Sequence, residues 1–379
     1  MKPTRTLLSL LLVIILISIS ACSLLSSPPE PASDQDQPTS QPAKTQASAV
    51  EQQPTNTPGQ TDQPTNVPTD SPTAVPPDSI QPSPTPAAYP ERTGFGQPQD
   101  WTGGPTRGEL AMRVADVNGD GWEDFIAVDQ ATTYVLLSNG AGFEKPQDWT
   151  NGPVRGELGM FFTDVTGDGL ADYIAVDRAA TFVLPSTGSS FKQPENWTGG
   201  PVSGELWIAF ADVTGDGLSD FIAVDTDAVY VLPSTGSSFG EPQNWTGGPA
   251  RGQLWMAFED VTGDGLADFI AVDEHTTYVM ASTGTSFAEP SDWTQGPVTG
   301  QLQMAFADAT GDGLADYIAV DRDTTYVLPS TGAGFDNPRD WTGGPVSGEL
   351  GMYFGDLTGD GAADYVAVDQ ATIYVLPAE

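Results

Sequence analysis

Asp116, Asn118, Asp120 and Asp124 fall at positions 1, 3, 5 and 9 of a nine-residue run, with Gly121 at position 6 and Trp122 at position 7. That spacing lets a tight turn aim oxygen side chains inward around Ca²⁺, while the backbone carbonyl of position 7 adds one more ligand. The run recurs five times, always 48 residues on. The later copies place Asp164, Thr166, Asp168, Leu170 and Asp172; Asp212, Thr214, Asp216, Leu218 and Asp220; Asp260, Thr262, Asp264, Leu266 and Asp268; Asp308, Thr310, Asp312, Leu314 and Asp316; and Asp356, Thr358, Asp360, Ala362 and Asp364. Carboxylates crowded into one turn repel one another unless a cation offsets them. Up to six structural Ca²⁺ ions are therefore expected. A hydroxyl at position 3 is a poorer ligand than a carboxylate, which puts the affinity in the range of roughly 10⁻⁴ to 10⁻³ M found in extracellular modules. Identical loops in every copy cannot mark one special site, so their expected role is structural. The aspartate of each "AVD" (Asp129, Asp177, Asp225, Asp273, Asp321, Asp369) lies beyond the loop and is expected to cap a turn.

Catalysis finds little to use. The chain has one histidine, His275, in a stretch that reads as a surface loop, and one cysteine, Cys22. It carries no nucleophile-elbow or zinc-helix motif. Carboxylate pairs can hydrolyse glycosides, but nearly every aspartate here recurs sixfold, whereas an active site on a ring would break the symmetry. No enzyme activity is expected, with glycan processing the remaining alternative. Composition narrows the partners further. Against 13 Lys and Arg stand 51 Asp and Glu, and beyond Gly94 the balance is 9 to 43. Such a surface repels nucleic acid and attracts cations.

Two aromatic sets are candidates for ligand binding. Trp101, Trp149, Trp197, Trp245, Trp293 and Trp341 recur in "WTGGP" or a close variant. Their faces would stack on sugar rings with gain from avidity, or else would wedge between repeats. The second set breaks the repeat. The position held by Ala111, Gly159, Gln303 and Gly351 carries Trp207 and Trp255 in two consecutive copies. Those two would make a platform near a central axis, or simply fill space there. Arg107, Arg155 and Arg251 likewise stand where other copies have Thr or Ser.

The elements that position these residues are strands. In the third copy, "GELWIAFAD" (204–212) alternates Leu206, Ile208 and Phe210 on one face, followed by "DFIAVD" (220–225), "AVYVLPST" (228–235) and a proline-containing edge strand, "SSFGEPQNW" (237–245). Four strands in about 48 residues make one propeller blade. The last copy stops after its third strand, at "ATIYVLPAE", and the missing fourth appears at the other end as "GFGQPQDWTGGP" (94–105). The expected fold is all-β: a β-propeller of six blades of four antiparallel strands, closed when the N-terminal strand completes the last blade. That arrangement leaves no sheet edge open. An open β-solenoid would not explain the split repeat.

Ahead of the repeats, Lys2 and Arg5 precede an apolar run that ends in "ISAC". The run is short for a membrane span and reads as an export signal over 1–21. The "ISAC" stretch resembles a bacterial lipobox, which implies that Cys22 is lipidated. From there to residue 91 the chain is rich in Pro, Thr, Ser and Gln and is expected to stay unfolded as a stalk. The expected location is the bacterial cell surface, with a membrane anchor through Cys22.

The pattern D-x-[N/T]-G-D-G-x-x-D followed by an apolar strand, six times in phase through 94–379, resembles FG-GAP/VCBS repeats. The resemblance implies a propeller with Ca²⁺ in loops between strands, and roles in adhesion or carbohydrate recognition. Integrin-type members commonly have seven longer blades, so six is a departure. Taken together, the reading is a surface-anchored, monomeric calcium-binding propeller that binds a glycan or a surface protein. The alternative is a structural scaffold or adhesin without a small-molecule ligand.

Overall fold

The computed structural model describes residues 92–379. The expected export signal, lipidation at Cys22 and stalk lie outside the described residues. Within them every element is a strand, and the strands form six four-stranded antiparallel sheets. Blade 1 comprises Ala111–Ala115, Asp124–Val128, Thr133–Leu136 and Gln147–Asp148. Blades 2 to 5 repeat it in order. Blade 6 takes Gly351–Gly355, Asp364–Val368 and Ile373–Leu376 from the C-terminal end and Gln99–Asp100 from the start of the domain. The first strand of each blade contacts the first strands of its two neighbours, and the sixth contacts the first, so six inner strands close a ring about an axis.

The pattern of each strand follows from its place. The second strand is buried on both faces because a blade is sandwiched between two others; in blade 3 it reads Asp220-Phe221-Ile222-Ala223-Val224, all buried. Such a strand is a continuous apolar run rather than an alternating one. The fourth strand pairs through only two residues, Gln243↔Val231 and Asn244↔Tyr230 in blade 3, preceded by an isolated bridge between Ser234 and Phe239. It is much shorter than the 237–245 expected, since Pro242 has no N–H to give to a ladder.

The inner strand also departs from expectation. It starts at Trp207 rather than Gly204, and Leu206 is 37 % exposed instead of turned inward. Gly204 is the reason: a Cβ there would lie 1.9 Å from the Trp207 carbonyl oxygen. The chain folds back on itself at that point, and only glycine allows the approach. Leu110, Leu254 and Leu302 are exposed in the same way.

Candidate functional site

The acidic loops link blade to blade. The position-8 N–H of each donates to the position-1 carbonyl of the loop before it: Ala171 to Asp116, Ser219 to Asp164, Ala267 to Asp212, Ala315 to Asp260, Ala363 to Asp308 and Glu123 to Asp356, at 2.7 to 2.8 Å. These six bonds run in a circle. The side chain at position 7 packs on the position-4 glycine of the same neighbouring loop, Leu170 on Gly119 and Trp122 on Gly359 among them. Blade 6 has only Ala362 there, and the Arg92 guanidinium covers Gly311 in its place, pairing with Asp360 at 2.9 Å.

Inside each loop the carboxylates turn to backbone amides. Asp212 at position 1 accepts from the N–H of Gly215 (2.6 Å) and of Gly217 (2.8 Å). Asp220 at position 9 is fully buried and accepts from Val213, Thr214 and Ser234 N–H. Asp216 at position 5 accepts from Leu218 N–H. Position 9 thus faces the sheet rather than a shared centre, and among the described residues no three Asp, Glu, His or Cys side chains converge into a group that would hold a metal ion. In this arrangement backbone N–H groups supply the positive partners of the carboxylates. Burial has a second consequence. It pushes the position-9 carboxyls up to about 7 at Asp124, Asp316 and Asp364 and to about 6 at Asp172, Asp220 and Asp268. The "AVD" aspartates act as turn pins, as Asp225 shows by accepting from Glu205 N–H at 2.7 Å.

The six repeated tryptophans are removed from the ligand-binding set. Each is at most 7 % exposed. Each meets a Phe edge-on at 5.0 to 5.3 Å, from Trp101 on Phe143 to Trp341 on Phe95. A ring closed in on both faces has none to offer a sugar, so these side chains wedge the blades together.

The two unrepeated tryptophans do come together. Trp207 and Trp255 are half-buried on adjacent inner strands, 5.1 Å apart at 69°. They meet edge to face and so do not form one flat platform. Trp207 lines a cavity of about 400 Å³ with Leu158, Phe161, Leu206 and Arg113 at the end of the axis where the inner strands begin. A larger one of about 780 Å³ adjoins it on the side of blades 1, 2 and 6. Both sizes suit a small organic ligand. Arg113 stands where the other copies have Phe161, Ala209, Ala257, Ala305 and Tyr353, a break in the repeat that the sequence reading passed over. Arg107 lines the larger of these two cavities, and Arg251 a different one of about 410 Å³ between blades 3 and 4. His275 is on the surface.

At the opposite end of the axis, among the position-1 aspartates, lie two acids without sixfold counterparts. Glu123 is pushed up to about 8, first by burial and then by Asp356, Glu259, Asp116 and Asp364. Glu259 has solvent at its side chain, yet protein surrounds it about the axis, and that desolvation followed by Asp260 raises it to about 7.

Comparison with known proteins agrees with the fold. No curated protein sequence matches the chain. Among solved structures, the Photorhabdus luminescens Tc holotoxin pore carrying TccC3-D651A matches at 19 % identity and a TM-score of 0.58, over 76 % of this chain and 15 % of that one. An Agrocybe aegerita lectin, described for specific recognition of non-reducing terminal N-acetylglucosamine, matches at 22 % identity and a TM-score of 0.51, over 68 % of this chain and 73 % of the lectin. The chain therefore spans about a seventh of the first of these structures, and at such identities both are alike in fold alone. The model of the FG-GAP-like repeat matches four times, at 116–175, 164–223, 212–271 and 260–319, together more than half of the chain. With the acidic loops in phase and one blade per repeat, the chain belongs to the FG-GAP-like repeat family.

Proposed function

We propose that this propeller is a non-catalytic binding module that takes a carbohydrate at the axial mouth beside Trp207 and Trp255. The observation that carries the reading is the exposure contrast: the six repeated tryptophans are buried, whereas the two unrepeated ones are half-open, Trp207 lining a cavity and Trp255 packed against Trp207. The lectin among the structural neighbours supports it as a likeness of fold. Lipidation at Cys22 would hold the module at a bacterial surface, where glycans are met. In a glycan panel, saturable binding is expected, and Trp207→Ala and Trp255→Ala are each expected to weaken it at least ~10-fold, as buried aromatic contacts at binding sites do. Thermal midpoints of both variants should stay within a few degrees of the parent. A flat response across the panel would sink the reading and favour a protein partner, for which exposed Leu110, Leu206, Leu254 and Leu302 offer the contact.

Calcium enters the proposal through the chemistry of the loop: carboxylates at positions 1 and 5, a hydroxyl or amide at 3 and a carbonyl at 7. Its test uses the raised position-9 carboxyls. A folded-state value above the unfolded one means that stability present below about pH 4 is lost as pH rises through 6 to 7. In chelator, the thermal midpoint is thus expected to be higher at pH 5 than at pH 8. Millimolar Ca²⁺ is expected to recover several degrees at pH 8 and less at pH 5. Equal midpoints with and without Ca²⁺ at pH 8 would refute the metal.

A further inference from the structure

Symmetry about the axis is broken in a particular way at the mouth. The first and third residues of each inner strand face the following blade, and the blades divide bulk between them in two opposite patterns. In blades 3, 4 and 5 the first is large and the third is alanine: Trp207 with Ala209, Trp255 with Ala257, Gln303 with Ala305. In blades 6, 1 and 2 the first is small and the third is large: Gly351 with Tyr353, Ala111 with Arg113, Gly159 with Phe161. The deep aromatic rings fold back over the small residues. A Cβ on Gly159 would lie 2.5 Å from the Phe161 ring, and one on Gly351 would lie 2.8 Å from the Tyr353 hydroxyl. One half of the mouth is a raised wall and the other a recess.

Arg113 is the cation of that recess. Its Nη1 donates to the Met112 carbonyl at 2.7 Å. Its Nε and Nη2 have no partner among the described residues, and it makes no ion pair there, although the chain carries a net charge of −38. It lines both cavities at this end, one of them with Trp207. Burial lowers its pKa from the usual arginine range but leaves the guanidinium charged.

We propose that the recess selects a carboxylate-bearing sugar, of the uronic or sialic class, with Arg113 taking the carboxylate and Trp207 the ring. This rests on the carbohydrate reading above and names the ligand class for that same site. A guanidinium with free parallel N–H groups matches a carboxylate in geometry and charge. A neutral sugar leaves its desolvation unrepaid. The acidic surface opposes an anion at long range, but salt screens charges beyond about 8 Å at physiological strength. Nearer the recess, Glu157 is paired with Arg178 at 3.2 Å, Glu109 is the remaining acid and Arg107 adds a positive charge.

The test is a panel in which each uronate- or sialate-bearing glycan is paired with its carboxyl-reduced form. The wild type is expected to prefer at least one acidic member over its reduced twin by ~10-fold or more, in line with a charge-assisted hydrogen bond. Arg113→Gln is expected to erase that preference and leave the reduced twin's affinity within about threefold, and Arg113→Lys to restore part of it. Trp207→Ala should weaken both twins alike. Equal binding of acidic and reduced twins, unchanged in Arg113→Gln, would overturn the acidic class and leave the carbohydrate reading standing. Binding to no member would overturn both.

Discussion

A chain shortened to begin at Thr102 is expected to lose cooperative folding of the ring, with a thermal midpoint at least ~10 °C below the parent or aggregation before unfolding. The lost segment is the latch. Phe95 is buried against Trp341 (5.0 Å) and Tyr365 (5.7 Å), and Trp101 packs on Phe143 (5.1 Å). Main-chain bonds run from Gly96 N–H to the Pro377 carbonyl and from Trp101 N–H to the Ile373 carbonyl. Removing one buried aromatic side chain costs about 3–5 kcal/mol, and two such losses approach the 5–15 kcal/mol that hold a typical domain. The cut would also bare the Ile373–Leu376 edge, an apolar strand with nothing paired to it. Phe95→Ala alone isolates the packing from the open edge and is expected to lower the midpoint by roughly 6–15 °C. Differential scanning fluorimetry of both proteins decides it. A shortened chain that melts within 2 °C of the parent would show that blade 6 stands on three strands.

Much of this was legible in the sequence because repetition makes every error visible six times. A constant spacing of 48 gave the blade, and the split final copy gave the closure between Gln99–Asp100 and Ile373–Leu376. The strand bounds were less legible. Leu206 fits an alternating pattern with Ile208 and Phe210, and only the backbone contact at Gly204 shows why the strand begins after it. Tryptophan exposure was not legible at all, since a sugar platform and an inter-blade wedge demand the same residue at the same repeat position. Three-dimensional packing against the next blade's Phe settles that question. Arg113 breaks the repeat just as Trp207 does and was legible by the same test; its place beside two cavities was not, because their lining comes from different residues on neighbouring blades.

The acidic loop shows where its residues do most for stability. Asp220→Ala is expected to cost about 3–6 kcal/mol, because three buried or half-buried N–H donors, those of Val213, Thr214 and Ser234, lose their acceptor together. The same N–H groups tie the loop to the end of the third strand, and Ser234 Oγ in turn donates to the Val165 carbonyl of the preceding blade at 2.7 Å. Loss at one carboxylate therefore loosens an inter-blade contact as well as a turn. By contrast, Asp216→Ala removes an acceptor on the exposed side of the loop, with one bond to Leu218 N–H, and is expected to cost under about 1 kcal/mol in chelator. Asp220→Asn adds a signed check. Burial raises the Asp220 carboxyl to about 6, so the wild type gives up this residue's stabilisation as pH climbs from about 4 through 6, while the amide does not titrate. The deficit of the Asn variant should then be largest near pH 4 to 5 and narrow by pH 7. Urea denaturation in chelator at pH 4.5 and 7 measures both quantities. Equal costs for Asp216→Ala and Asp220→Ala would mean that burial and the two extra N–H donors give position 9 no more weight than position 5.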